Sequence, residues 1–241
     1  MGSRRPPGLR WVGIPVVAAL LMVAHANAAG RAVAFQGPDG RLVTGFLIDA
    51  PSRPAPAVVL VPMLGRPKED WEGVAQRLAS ANISALAIDL PDLSMPPDPR
   101  ELAAWHQDVI AAVAYLASRP AEVRSEAIGL AGASLGASLA ALAAAADPAV
   151  RSLALVSPSL DYRGVRMEAP MRQYGARPAL LVASLHDPYA ARSVRELVRD
   201  AAGPRQARWS DTPAHGTSLL ARDPDLAGAL VEWFQLTLGV N

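Results

Sequence analysis

From residue 31 onward, short apolar runs sized for strands alternate with longer stretches whose apolar positions recur at helical spacing. Ala32 to Gln36 and Leu42 to Ile48 flank Gly37-Pro38-Asp39-Gly40, a turn rich in residues that accept tight backbone angles. The pair predicts an N-terminal antiparallel hairpin. Beyond the proline-rich bend Pro51 to Pro56, Ala57-Val58-Val59-Leu60-Val61 is apolar without interruption, which predicts a strand buried on both faces.

Four further apolar runs follow, at Ser84 to Ile88, Ala127 to Ala131, Ser152 to Val156 and Ala179 to Ala183. Helical stretches near Lys68 to Ala81, Glu101 to Ser118, Leu135 to Ala146 and Ala190 to Ala201 separate most of them, and a last strand (Gln206 to Ser210) and helix (Asp225 to Leu238) close the chain. Strands alternating with helices predict an α/β fold: a mostly parallel central sheet with helices on both faces. The connection from Ser157 to Pro178, about 20 residues, is too short for a cap domain, so the site is expected to be open.

Composition refines this picture at the N-terminus. Arg4, Arg5 and Arg10 precede an apolar run from Trp11 to Ala24, followed by small residues at Ala26 and Ala28, the order of a secretory signal. The run is about 14 residues long and contains Pro15, short of the roughly 20 residues that span a bilayer. We therefore expect a signal peptide at 1–28, a single α/β domain at 29–241, secretion or periplasmic export, and no stable membrane span in the mature form.

Removal of 1–28 takes three of 23 basic residues and none of the 22 acidic ones, leaving 20 against 22, about −2. The mature chain is not basic, and nothing in its charge points to nucleic acid. The absence of cysteine excludes disulfides, a thiol nucleophile and thiolate-bound metal. At 241 residues and 51% hydrophobic content, one domain with a full core is expected.

Candidate chemistry concentrates at Gly132-Ala133-Ser134-Leu135-Gly136, set between an apolar run and an alanine-rich helical stretch. A sharp strand-to-helix turn forces its central serine into strained backbone space, and glycines two residues before and after let neighbouring backbone pass close by. The same turn places the Leu135 N–H at a helix start, facing the position of a developing oxyanion. A serine hydroxyl needs a base. His215, in Thr212-Pro213-Ala214-His215-Gly216-Thr217, follows the last strand in a small-residue loop and is the expected base; His106 lies within a helix as a packing or surface residue. His186 adjoins Asp187, and neighbours on extended backbone point apart, so those two are not expected to act as a pair.

Asp187 follows a strand and begins Asp187-Pro188-Tyr189, which suits a helix N-cap as well as a triad acid. The order Ser134, Asp187, His215 is the chain order of nucleophile, acid and base in hydrolases of this kind. Asp161 is the reserve acid, and Asp89 is expected to be a structural partner at a strand end. Trp71 fits equally a cleft wall and a core aromatic.

Together these motifs resemble the α/β-hydrolase superfamily across nearly all of residues 31 to 241, and within it the capless dienelactone-hydrolase-like esterases and prolyl-oligopeptidase-type catalytic domains. Dienelactone hydrolases carry cysteine at the elbow, where this chain has Ser134. Members commonly have His-Gly after the third strand, where Pro62-Met63-Leu64-Gly65 stands here; the resemblance implies that the Leu64 N–H, or that of Met63 in a shifted register, completes the oxyanion hole. With the secretory signal, it implies an exported serine hydrolase with no metal or organic cofactor, and the low aromatic content and missing cap point to a small ester or thioester as the acyl substrate. A peptidase or acyltransferase on the same triad, or a non-catalytic binding protein keeping the fold, are the alternatives.

Overall fold

A seven-residue stretch with no exposed side chain sets the centre of the molecule. In the computed structural model, which describes residues 1–2, 30–91, 98–199 and 201–240, β3 (Ala55–Val61) is buried along its whole length. It lies inside an eight-stranded sheet with β1 (Arg31–Gln36), β2 (Leu42–Ile48), β4 (Ser84–Ile88), β5 (Val123–Ala133), β6 (Val150–Val156), β9 (Ala179–Ser184) and β10 (Arg205–Ser210). The strand order is β1-β2-β4-β3-β5-β6-β9-β10. Only the β1·β2 and β2·β4 pairings are antiparallel; β4 through β10 pair in parallel, which demands a crossover between successive strands. All but the first two residues of the expected signal segment lie outside the described residues. Among the described residues no helix is long and apolar enough to cross a membrane.

Crossover helices cover both faces. On one, α3 (His106–Ala117), α4 (Leu135–Ala146) and α6 (Pro188–Arg199) close a core that includes Val59, Leu86, Val109, Leu139, Leu155 and Val194. On the other, α1 (Glu72–Ser80), α7 (Thr217–Arg222) and α8 (Pro224–Thr237) pack Leu78, Leu219, Leu230 and Phe234 against Val58, Ala131 and Val182. Trp71, at the end of a 3₁₀ turn over Lys68–Trp71, is fully buried in this second core, which decides between its two readings.

Three departures from the sequence reading have local causes. The expected single helix 101–118 is divided into α2 (Pro99–Ala104) and α3 at Trp105. Asp98 starts α2 early by accepting the N–H groups of Arg100 and Glu101 at 2.8 Å, ahead of Pro99 in the first helical position. At the break, Trp105 N–H bonds Leu102 O and Asp108 N–H bonds Trp105 O, three residues apart, a tighter winding that buries the indole. β5 begins at Val123, four residues ahead of the apolar run, because Arg124 to Glu126 are polar and its pairing shifts register before Ile128. Finally, the 157–178 connection folds into a two-stranded ribbon of β7 (Asp161–Tyr162) and β8 (Val165–Arg166), followed by α5 (Glu168–Tyr174). These elements are too short to carry a periodic signal, and they add no cap domain.

Candidate active site

The turn between β5 and α4 owes its shape to two glycines. Ser134 has φ 53° and ψ −118°, a left-handed conformation that costs a non-glycine residue roughly 1–3 kcal/mol. A Cβ on Gly132 would stand 2.1 Å from the carbonyl oxygen of Gly136, and one on Gly136 would stand 2.4 Å from the carbonyls of Val61 and Pro62. Chain approach this close admits only glycine. Leu135 is the first residue of α4, so its N–H has no acceptor within the helix. The Ser134 N–H donates to Val156 O at 3.0 Å, extending the β5·β6 ladder by one rung and fixing the serine above the sheet.

Asp187 and His215 meet across the ends of β9 and β10. His215 Nδ1 lies 2.5 Å from Asp187 Oδ2, and with the carboxylate ionised Nδ1 carries the proton and donates it. Asp187 Oδ1 accepts the Ala190 N–H at 3.1 Å, so the carboxylate caps α6 and meets His215 through different oxygens. The aspartate side chain is 17% exposed and the imidazole 48%.

The histidine loop is anchored on several sides. Gly216 N–H donates to Ser157 Oγ at 2.9 Å, and Thr217 Oγ1 donates to Asp70 Oδ2 at 3.2 Å. Ser184 Oγ donates to Thr212 O at 2.6 Å, while Ser210 Oγ accepts the Thr212 N–H at 3.1 Å. Gly216 has φ 57°, and a Cβ there would stand 2.0 Å from Met63 Sδ. Met63 therefore reaches from the end of β3 to the backbone of the histidine loop. Among the described residues no hydrogen bond joins Ser134 to His215; the nucleophile candidate and the base candidate share the same end of the sheet through their anchors, Val156 and Ser157.

Other sequence candidates have different partners. Asp161 accepts the Gly164 N–H at 2.6 Å and the Arg166 guanidinium at 3.1 Å, within the β7–β8 ribbon. Asp89 accepts from Thr44 at 2.6 Å and from Lys68 at 2.9 Å, a structural role at the end of β4. His106 bonds Ala103 O and Gln107 on the face of α3, and His186 is exposed with its N–H on Ser184 Oγ. Leu64 is half-buried in the turn after β3, where Arg66 N–H bonds Met63 O at 3.2 Å and Gly65 has φ 66°. Among the described residues no group of three or more His, Asp or Glu side chains gathers to hold a metal. Sequence reasoning missed Ser157 and the reach of Met63, since a serine before a proline and a methionine in a loop carry no signal of what the fold sets beside them.

Comparison with known proteins gives the same architecture. No curated protein sequence matches the chain. Among solved structures, DcsB in complex with its substrate analogue superposes with a TM-score of 0.77 at 15% identity, covering 88% of this chain and 100% of that one. Dienelactone hydrolase from Anabaena variabilis gives 0.75 at 17% identity, covering 88% and 99%. An esterase from Pyrococcus furiosus gives 0.71 at 14% identity, covering 87% and 92%. Identities this low speak for the fold alone. The profile of the alpha/beta hydrolase family matches residues 58–238, from β3 to the end of α8, and the chain therefore belongs to the alpha/beta hydrolase family.

Proposed function

We propose that the protein is an exported serine hydrolase that cleaves a small ester or thioester through Ser134, His215 and Asp187. Ser134 Oγ attacks the acyl carbonyl while His215 Nε2 removes its proton, and the Asp187 carboxylate holds the resulting imidazolium. Negative charge on the tetrahedral carbonyl oxygen is met by the N–H groups of Leu135 and Leu64. Collapse of that intermediate breaks the bond to the alcohol or thiol, which leaves with the proton from His215. Water, activated by the same imidazole, then releases the acyl group and restores the hydroxyl.

The observation that carries this reading is the 2.5 Å contact between His215 Nδ1 and Asp187 Oδ2, in a loop anchored beside the strained elbow that bears Ser134. The chemistry needs protons and backbone dipoles and calls on no metal or organic cofactor. Export follows from the N-terminal arginines and apolar run of 1–28. The short connection between β6 and β9, which forms only the β7–β8 ribbon and α5 and adds no cap, supports small acyl groups.

The test is hydrolysis of short p-nitrophenyl esters and acyl thioesters, with acid quench and mass measurement of the trapped intermediate. Wild type is expected to show an acyl adduct on Ser134, and Ser134→Ala to lose roughly four to six orders of magnitude in kcat. Activity that survives Ser134→Ala would refute the reading.

A further inference from the structure

Ser157 follows β6 with a left-handed φ of 48°, just as the left-handed Ser134 follows β5, each one residue past the last paired residues Ala133 and Val156. Such backbone is costly for serine and persists where the surroundings hold it. Here they do so on two sides. Ser157 N–H donates to Val182 O at 2.7 Å, carrying the β6·β9 ladder one rung further, and Ser157 Oγ accepts the Gly216 N–H at 2.9 Å. Ser157 is 1% exposed, and the bond to Gly216 is buried. Without the hydroxyl, the Gly216 N–H would lose its acceptor away from water, a defect that a loop relieves by moving.

The preceding residue, Val156, receives the Ser134 N–H. One dipeptide, Val156-Ser157, thus anchors both the nucleophile's backbone and the loop that carries the base. Asp187 fixes the orientation of the His215 ring but stands on β9's end, one strand further from Ser134, and its contact is with the side chain. Ser157 fixes the backbone one residue after His215.

We propose that Ser157 is a positioning residue: its hydroxyl sets the distance between the His215 loop and Ser134. The inference rests on the serine-hydrolase reading above for its effect on turnover, and on the loop geometry alone for its effect on the His215–Asp187 contact. A shift of about 1 Å in a base of this kind is enough to cost about 100-fold in rate. The hydroxyl, not the backbone angle, is the group responsible, and the two can be separated by substitution.

Ser157→Gly removes the whole hydroxymethyl group and adopts the left-handed backbone without strain; Ser157→Ala removes only the hydroxyl and keeps the strain. Both variants should lower kcat on p-nitrophenyl acetate by about 10- to 100-fold with KM changed less than about threefold, while Ser157→Gly melts within a few degrees of wild type. A purely structural serine would give the opposite division, with Ser157→Gly fully active and only Ser157→Ala impaired, and that result would overturn the proposal. A second readout needs no turnover. The proton between His215 Nδ1 and Asp187 Oδ2 should give a far-downfield NMR resonance in wild type, assigned by its loss in Asp187→Ala, and should exchange faster with water in Ser157→Gly. Unchanged exchange in that variant would also overturn it. Faster exchange in a protein that hydrolyses no ester would support the positioning role while refuting the serine-hydrolase reading.

Discussion

Asp187 binds His215 through one carboxylate oxygen and caps α6 through the other, with His215 Nδ1 at 2.5 Å and the Ala190 N–H at 3.1 Å. A single side chain therefore couples the start of a helix to the orientation of an imidazole. The coupling explains why the residue's sequence context suits a helix cap and a histidine partner alike.

The two roles separate by substitution. Asp187→Asn keeps an oxygen for the Ala190 N–H but presents the wrong hydrogen-bonding character to His215, so kcat should fall by about 10⁴ with little change in melting temperature. Asp187→Ala loses the cap as well and should cost about 1 kcal/mol more in denaturant unfolding. Asp161→Asn, confined to the β7–β8 ribbon, should leave kcat within about threefold. A crippled Asp161→Asn beside a silent Asp187→Asn would move the acid to the end of β6.

The elbow glycines should tolerate no side chain. Gly136→Ala would press a methyl group into the Val61 and Pro62 carbonyls at 2.4 Å and is expected to destabilise the fold by at least about 2 kcal/mol, read by urea unfolding. Gly228 provides the control. It lies within α8 with nothing inside 4 Å of a built Cβ, so Gly228→Ala should stabilise by about 0.5–1 kcal/mol.

Met63 and Gly216 should be energetically coupled. Gly216→Ala combines a left-handed φ with a Cβ 2.0 Å from Met63 Sδ and should lower both stability and kcat. Met63→Ala opens that space, so the double variant should relieve the clash but keep the backbone strain, about 1 kcal/mol. Strict additivity in the unfolding cycle would show that Met63 does not press on the histidine loop.

Arg41 clamps Asp108 with both contacts from one nitrogen, at 2.9 and 2.8 Å, and the carboxylate is 1% exposed. That partnership also raises the Arg41 pKa above its ordinary value. Arg41→Ala leaves a buried charge without its partner and should cost about 2–3 kcal/mol, reduced from the fully buried case because the arginine itself is 40% exposed. Arg41→Ala/Asp108→Ala should be more stable than Arg41→Ala alone, measured by denaturant unfolding.

Much of this architecture was legible in sequence because the central parallel strands β3, β4, β6 and β9 are buried almost throughout and so read as unbroken apolar runs. The runs at β3, β4, β6 and β9 marked strands to within two residues at each end, and the alanine run of α4 marked that helix end to end. β5 was shortened because Arg124 to Glu126 emerge into solvent before its buried half begins. The β7–β8 ribbon, α5 and α7 stayed hidden because two to seven residues hold too few apolar positions to show a period. At the site, the Gly-x-Ser-x-Gly spacing encodes a backbone constraint and so showed in sequence; the Ser157–Gly216 bond spans 59 residues and depends on the strand order, which no local pattern carries.

The central claim is an activated Ser134, and reaction with a fluorophosphonate read by intact mass tests it most directly. Wild type should gain a single adduct that is absent from Ser134→Ala and strongly slowed in His215→Gln. A folded wild type that gains no adduct, or an adduct that persists in Ser134→Ala, would contradict the account.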